Sequence, residues 1–494
     1  MSSEIIQVSD GKRLKADEAL TLTKGFGKYQ IITIIASTIC LWSNCLYTFS
    51  IPFFMSPPAI KCKLGSDWVE CGYTTKYICE NHIEFEYVDP TENFISHFNL
   101  LCDNEANAWL SAAVFIGCFP GYLTLGLLSD VYGRIPMIVI CIIGCVVTVV
   151  AMVVASYCMQ ATVMIAIIGT AVKGFFASGL IFAPFTLAFE CLEEKYVPLV
   201  GVFLNVMDSA SQIIVVIISL LGMTWRSHCI AMVVIMASGL IPLMFIREQP
   251  KYHISKQNRK KSTEVFSLIA KVNGTKWRSE WELDLEEQPE KSKSADYGRP
   301  VETEPGAIRR KGTLAMLTSK PYFSRFALNL VVLVAWGILY YGVTIDLPNR
   351  GGDTRMNAAI DFGAEAIAYI TGGYLLSRYG YFVSICWGIA IAGFTVLVSS
   401  CLPGFGYDSA WINVLMYISK FGTSITYTNT FVASDTLFPP KIRNTALSVA
   451  LGTAGLGEAA VSYLIGGNYR IPMNLFYLFS SFAGMFASYY LHDN

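Results

Sequence analysis

A chain of 494 residues with 53% hydrophobic and only 15% charged side chains is too apolar for a soluble protein, in which about 25% of residues are charged. The same composition excludes disorder and a coiled coil. Balanced charge, with 36 Lys and Arg against 37 Asp and Glu, removes the basic surface that a nucleic-acid partner would need. A multi-pass membrane protein in contact with a lipid bilayer is what remains.

Residues 1–29 are polar, show no cleavable leader, and read as an inner N-terminal segment. A helix crosses a bilayer with about 20 mostly apolar residues. Stretches of that kind follow at 30–54, 107–128, 135–156, 161–186, 198–221, 227–246, 322–346, 356–376, 381–400, 410–433, 444–466 and 471–491. Runs such as Met137–Ala155 are continuous, unlike the alternating segments of about 10 residues in a barrel. The expected fold is therefore an all-α membrane protein with twelve transmembrane helices in two six-helix halves, 30–246 and 322–494. The linker between them, 247–321, carries an amphipathic stretch, Ser262–Val272, with Val265, Phe266, Leu268, Ile269 and Val272 on or near one face. Beyond it, Glu286–Gly306 reads as a flexible segment. With both termini and the linker inside, most Lys and Arg fall on the inner side, as the positive-inside rule requires. Plasma membrane and internal organelle are equally compatible with this orientation.

The first outer loop, 55–106, holds Cys62, Cys71, Cys79 and Cys102. Their spacing does not resemble a zinc site, so two disulfides on an oxidising side are favoured. Three pairings stay open. No metal or cofactor signature is present, and no Walker loop or nucleophile motif suggests an enzyme. The one glycosylation sequon, Asn273-Gly274-Thr275, falls on the inner side.

Between the second and third stretches the chain reads Gly126-Leu-Leu-Ser-Asp130-Val-Tyr-Gly133-Arg134-Ile-Pro136. An acid and a base at a membrane boundary can clamp helix ends, and Gly133 permits a tight turn. In a chain of six plus six spans this resembles the loop signature of the major facilitator superfamily. Further stretches resemble the organic cation/anion transporter family within it, the solute carrier 22-like proteins: Gly25-Phe-Gly-Lys-Tyr-Gln30, Phe98-Asn-Leu-Leu-Cys102-Asp103, Glu190 with Lys195-Tyr196, Tyr340-Tyr341-Gly342, and Lys420-Phe421 followed by Phe438-Pro439 and Arg443-Asn444-Thr445. Trp225-Arg226 and Gln249–Lys256 match landmarks flanking the sixth span. The resemblance implies a central cavity at the bilayer midplane and alternating access by rocking of the halves. It also implies an inner-face latch that includes Asp130, Arg134 and Glu190.

The second half departs from this pattern. Its corresponding loop reads Leu376-Ser377-Arg378-Tyr379-Gly380-Tyr381-Phe382. The acid expected by resemblance falls on Ser377 and the basic pair on Tyr381 and Phe382, while the distant partner acid falls on Thr436, beside Asp435.

Charges inside spans cost roughly 2.5–3.5 kcal/mol each on insertion scales and are functional candidates by default. They are Lys173, Asp208, Asp361, Glu365, Lys420 and Glu458. By resemblance, Glu365, Lys420, Asn205, Tyr340 and Tyr341 have a cavity role. Asp208 lies three residues after Asn205 on nearly the same face. Gly455 stands where relatives place a charge selector, and Glu458 is one turn beyond. Against a substrate role, Glu458 would pair with a base such as Lys420. Lys173 and Asp361 are placed near span ends, where charged groups reach water. Two functions are compatible with these features. One is a transporter or facilitator for a small organic ion, cationic or zwitterionic. The other is a transporter-derived accessory subunit of a larger membrane complex, suggested by the missing second-half latch.

Overall fold

The computed structural model of the chain describes residues 13–64, 67–71, 75–158, 162–278, 281–284, 320–402, 409–438 and 440–493. Its long helices in the first half are α1 (Lys28–Thr48), extended by Ile51–Phe54, α2 (Asn104–Tyr132), α3 (Arg134–Cys158), α4 (Val163–Phe189), α5 (Val197–Leu220) and α6 (Trp225–Ser238). In the second half α7 is Lys320–Ile345, and Thr354–Cys401 is divided by Gly380 into α8 and α9. Then come α10 (Ser409–Leu437), α11 (Pro440–Gly466) and α12 (Arg470–Asp493). Among the described residues, nine helices are long and apolar enough to cross a membrane. α8, α10 and α12 are long but not among the nine, and the expected count of twelve spans depends on them.

The pattern of α3 explains how such a helix sits. Ile140, Ile143, Val147, Val150 and Val154, three or four residues apart, are exposed, whereas Ile138, Cys141, Ile142, Cys145 and Val149 are buried. Both stripes are apolar, as suits a helix with protein on one side and lipid on the other. The first half packs around α4, which contacts α1, α2 and α3; in the second half α7 contacts α11, α12 and α10. The halves meet along two seams, α2 against α11 and α5 against α8.

At one end of the bundle, the disulfide end, a three-stranded antiparallel sheet has Ile60–Leu64 at its centre, flanked by Asp67–Glu70 and Phe85–Tyr87. The pairing left open by spacing is Cys62–Cys71 and Cys79–Cys102, with Cα separations of 4.9 and 5.5 Å. The first joins the central strand to the residue just past the edge strand, and the second ties the loop to the entry of α2.

At the opposite end, the linker end, a small second core forms. The expected amphipathic stretch lies within the helix Arg259–Asn273, whose N-terminus is capped by Asn258 and which ends at Gly274 in the left-handed region. Its Val265, Phe266 and Ile269 pack with Ala19 and Leu20 of the short helix Ala16–Leu22, with Tyr29, and with Ile254 and Leu283. Arg13–Leu14 pairs in parallel with Glu282–Leu283. Asn273 is the hub. Its amide donates to the carbonyl of Thr23 at 2.8 Å and to Gln30 Oε1 at 3.0 Å, and its Oδ1 accepts from the Tyr29 N–H at 3.0 Å. Glu286–Gly306 lies outside the described residues.

Candidate functional site

Between the halves lies a central cavity of about 30 Å³ walled by Phe49, Tyr122, Phe185, Trp336, Tyr340, Tyr341, Tyr369 and Tyr427, with Asn44, Cys45, Asp208 and Glu458 as its other polar or reactive groups. In this state it has room for a water or two, not for an organic ion. Toward the disulfide end opens a vestibule of about 680 Å³, bordered by both halves. Phe49 lines the cavity, and Ile51 and Pro52, the next turn, line the vestibule. The Phe49 ring is on the cavity side. It meets Tyr340, Tyr341 and Phe362 of the other half at centroid distances of 6.4, 6.4 and 5.7 Å.

Beside the cavity is a saturated charge network. Glu365 on α8 and Lys420 on α10 pair at 2.9 Å, both fully buried. Glu365 accepts from the hydroxyl of Tyr340 at 2.9 and 3.0 Å, from Tyr369 at 2.7 Å and from Gln212 Nε2 at 2.8 Å. Lys420 also donates to Thr344 at 2.9 Å and sits 3.3 Å from the centroid of the Tyr340 ring. Gln212 belongs to α5, so one of these bonds crosses between the halves. A buried pair tolerates desolvation only when its remaining valences are filled, as they are here.

Two further span charges, placed near water by the sequence, are fully buried instead. Asp361 pairs with Arg350 at 3.0 Å. Arg350 follows α7 and its side chain turns back into the bundle, donating also to the carbonyl of Val343. Lys173 donates to the carbonyl of Asn44 at 2.7 Å and to Thr48 Oγ1 at 3.3 Å. In these two places the expected reach to water is replaced by internal partners.

Asp208 and Glu458 differ from the rest. Asp208 accepts the thiol of Cys45 at 2.7 Å, and no base lies within 4 Å among the described residues. Glu458 is 3% exposed and lines the cavity. Among the described residues it has neither ion-pair nor hydrogen-bond partner; Lys420, its expected partner, is committed to Glu365. Its carboxylate lies against Gly337 of α7, where a Cβ would come within 2.7 Å of Oε1. Gly337 thereby leaves the space that the acid occupies.

Of the cavity residues expected from sequence, Asp208, Tyr340, Tyr341 and Glu458 line the cavity, while Glu365 and Lys420 sit behind Tyr340. Asn205 is buried in α5 and is not part of the lining. Sequence reasoning missed Cys45, Gln212, Trp336, Tyr369 and Tyr427. Two had a signal: Tyr369 follows Glu365, and Gln212 follows Asp208, by one helical turn.

The loop motifs lie at the linker end. Arg134 pairs with Asp130 at 2.8 Å and with Glu190 at 3.0 Å, and its guanidinium lies 5.1 Å from the Tyr252 ring centroid. Burial pushes Glu190 up to about 7, against the pull of Arg134. Gly133 (φ 110°) makes the turn, and Glu248 Oε1 accepts the next N–H, that of Ile135, at 2.5 Å. Gly126 stands on the α2–α11 seam, where a Cβ would meet Ser448 Oγ at 2.8 Å. Arg443 is in α11, and its side chain, like those of Asp435 and Thr436, lies outside the described residues.

The model of the Major Facilitator Superfamily matches residues 38–462. Solute carrier family 22 member 3 of Mus musculus is 22% identical over 394 residues, covering 77% of this chain and 65% of that protein; the chain thus spans just under two thirds of that relative. Organic cation/carnitine transporter 4 of Arabidopsis thaliana is 23% identical over 97% of this chain and 88% of its own. In fold, the chain is similar to the proton:xylose symporter XylE, with a TM-score of 0.61 at 13% identity over 94% of this chain and 95% of that one. It is also similar to the partially occluded inward-open form of the XylE transporter from E. coli, with a TM-score of 0.62 at 12% identity over 95% of this chain and 97% of that one. The two halves, the apolar helices and the matched family together establish a multi-pass membrane protein, and the chain belongs to the major facilitator superfamily.

Proposed function

We propose that the chain moves a small organic cation, or a zwitterion carrying a cationic group, across a membrane by alternating access. The observation that carries this reading is Glu458, a buried carboxyl without a partner among the described residues, in a cavity walled by aromatic rings. An acid left uncompensated in the membrane is costly, and aromatic faces attract cations. Asp208 adds a second acid to the same wall. The bases nearby are used internally: Lys420 by Glu365 and Lys173 by Asn44 and Thr48. A cavity with one unpartnered acid and committed bases suits a cation. The names of the relatives, organic cation/carnitine transporter among them, support the same class.

In this reading the linker end is the inner, cytoplasmic side, and the disulfide end faces an oxidising compartment. Asp130, Arg134 and Glu190 close the inner side of the first half, and Phe49 lines the cavity. The accessory-subunit reading is not favoured, because a chain that only fills space has no need of an unpaired acid at its centre. The test is uptake by the purified chain in proteoliposomes. Organic cations should enter and organic anions should not, and Glu458→Gln should lower cation uptake at least tenfold. Equal uptake of both signs, or no effect of Glu458→Gln, would refute this assignment.

A further inference from the structure

Where the chain leaves the sixth span at the linker end it turns strongly basic. Met244 and Phe245 are 83% and 73% exposed, as suits side chains set against lipid. Residues 251–278 then hold eight Lys and Arg and one acid, Glu264. Lys251 pairs with Asp17 at 2.9 Å and Arg259 with Glu282 at 3.5 Å. The other six, Lys256, Lys260, Lys261, Lys271, Lys276 and Arg278, are exposed, and no carboxylate pairs with them among the described residues.

These cations are held on a folded unit. The helix Arg259–Asn273 turns Val265, Phe266 and Ile269 into the second core. Lys260 and Lys271 lie three turns apart on its opposite face, with Glu264 between them. Past Gly274 the chain doubles back along the helix, since Trp277 stacks on Phe266 at 5.1 Å and Glu282 reaches Arg259. That return brings Lys276 and Arg278 alongside. Orientation in a membrane asks only for basic residues somewhere in the linker. It does not ask that six be kept exposed and unpaired on one capped, packed unit.

We infer that this unit binds anionic lipid headgroups of the leaflet at the linker end. A basic cluster just beyond a spanning helix is drawn to phosphate-bearing lipids, each Lys or Arg near the surface adding about fivefold in affinity. An acidic protein would meet the same charge, but two features favour the bilayer. Met244 and Phe245 bring the lipid boundary to within a few residues of the cluster. Trp277 and Trp281, half-buried and in edge contact at 5.1 Å, are side chains of the kind that settle at headgroup level. The helix has already spent its apolar face on the second core, so attachment is electrostatic rather than by insertion. A bound headgroup would also steady the core that clasps the N-terminal segment, because a ligand of the folded state stabilises it. The inference concerns the lipid and is independent of the cargo.

The test uses the full chain in neutral detergent, titrated with dioctanoyl forms of phosphatidylinositol bisphosphate, phosphatidylserine and phosphatidylcholine. Bound lipid is counted by native mass spectrometry, and the melting midpoint is followed in parallel. Both anionic lipids should bind and raise the midpoint, and phosphatidylcholine should do neither. Binding should weaken as salt rises. Lys260→Gln with Lys261→Gln and Lys271→Gln should weaken it more than tenfold and leave the lipid-free midpoint in place. Lys276→Gln with Arg278→Gln, outside the helix, should also weaken it more than tenfold and decides the matter if the triple variant unfolds. Lys61→Gln with Lys63→Gln, at the disulfide end, should change nothing. Equal binding of phosphatidylcholine, or unchanged affinity in the first two variants, would overturn the inference. So would binding of free inositol trisphosphate or a polyglutamate peptide as tightly as the anionic lipids, since the ligand would then be a soluble anion.

Discussion

The two halves carry corresponding loops at the linker end, which share a turn and differ in their charges. Each turns on a glycine with positive φ, Gly133 at 110° and Gly380 at 81°. Around Gly133 stands a complete charge network of Asp130, Arg134 and Glu190. Around Gly380 the described residues form no such network: the hydroxyl of Ser377 bonds back to the carbonyl of Tyr374, Arg378 is exposed, and no carboxylate pairs with it among the described residues. The backbone requirement is common to both loops, and the electrostatic one is met in the first. A turn without its glycine cannot form cheaply, whereas a charge network can be absent where other contacts hold the end closed.

The comparison can be broken most forcefully at Arg134. Arg134→Ala leaves Glu190 buried without its base and should destabilise the chain by about 3 kcal/mol, read as a lowered midpoint in detergent melting; Arg378→Ala should leave the midpoint unchanged. Next come the glycines. Alanine at either site is forced into a backbone region that costs about 2 kcal/mol. Gly133→Ala should cost more, because its Cβ also meets Glu248 Oε1 at 2.8 Å whereas nothing lies within 4 Å at Gly380; equal losses would show that the network does not shape the turn. Grafting the first loop onto the second, as Ser377→Asp with Tyr381→Arg, should recover about 0.5 kcal/mol at most, and a larger gain would mean that hidden partners exist.

A separate effect is one of pH. Glu190 holds its proton up to about 7, above its ordinary 4.5, chiefly through burial. The folded chain therefore binds more protons than the unfolded one between those values, and its stability falls as pH rises through that window. Glu190→Gln should flatten this slope, measured by melting between pH 4.5 and 7.5.

The fold was legible because a bilayer writes it into composition: uninterrupted apolar runs, basic residues gathered at one end, and loop signatures at fixed places. The site was legible only in part. Sequence singles out Glu365, Lys420, Asp208 and Glu458 as costly charges, but not who pairs with whom, since pairing is decided by reach across helices. Arg350 lies outside the span in sequence, yet its side chain folds back to Asp361. Lys420 pairs with Glu365, and Glu458 has no base beside it among the described residues. Cys45, Trp336 and Tyr427 carry no signal at all, being ordinary apolar-span residues until the helices bring them to one wall.

The clasp between Arg13–Leu14 and Glu282–Leu283 has a consequence for the order of synthesis. Every contact of that clasp and of the core beneath it lies within residues 13–283. All are in hand before the first residue of α7 is made. The first half can therefore be buckled shut by its own two ends while the second is still being assembled, and the inner surface on which the second half must later dock is already set when it arrives.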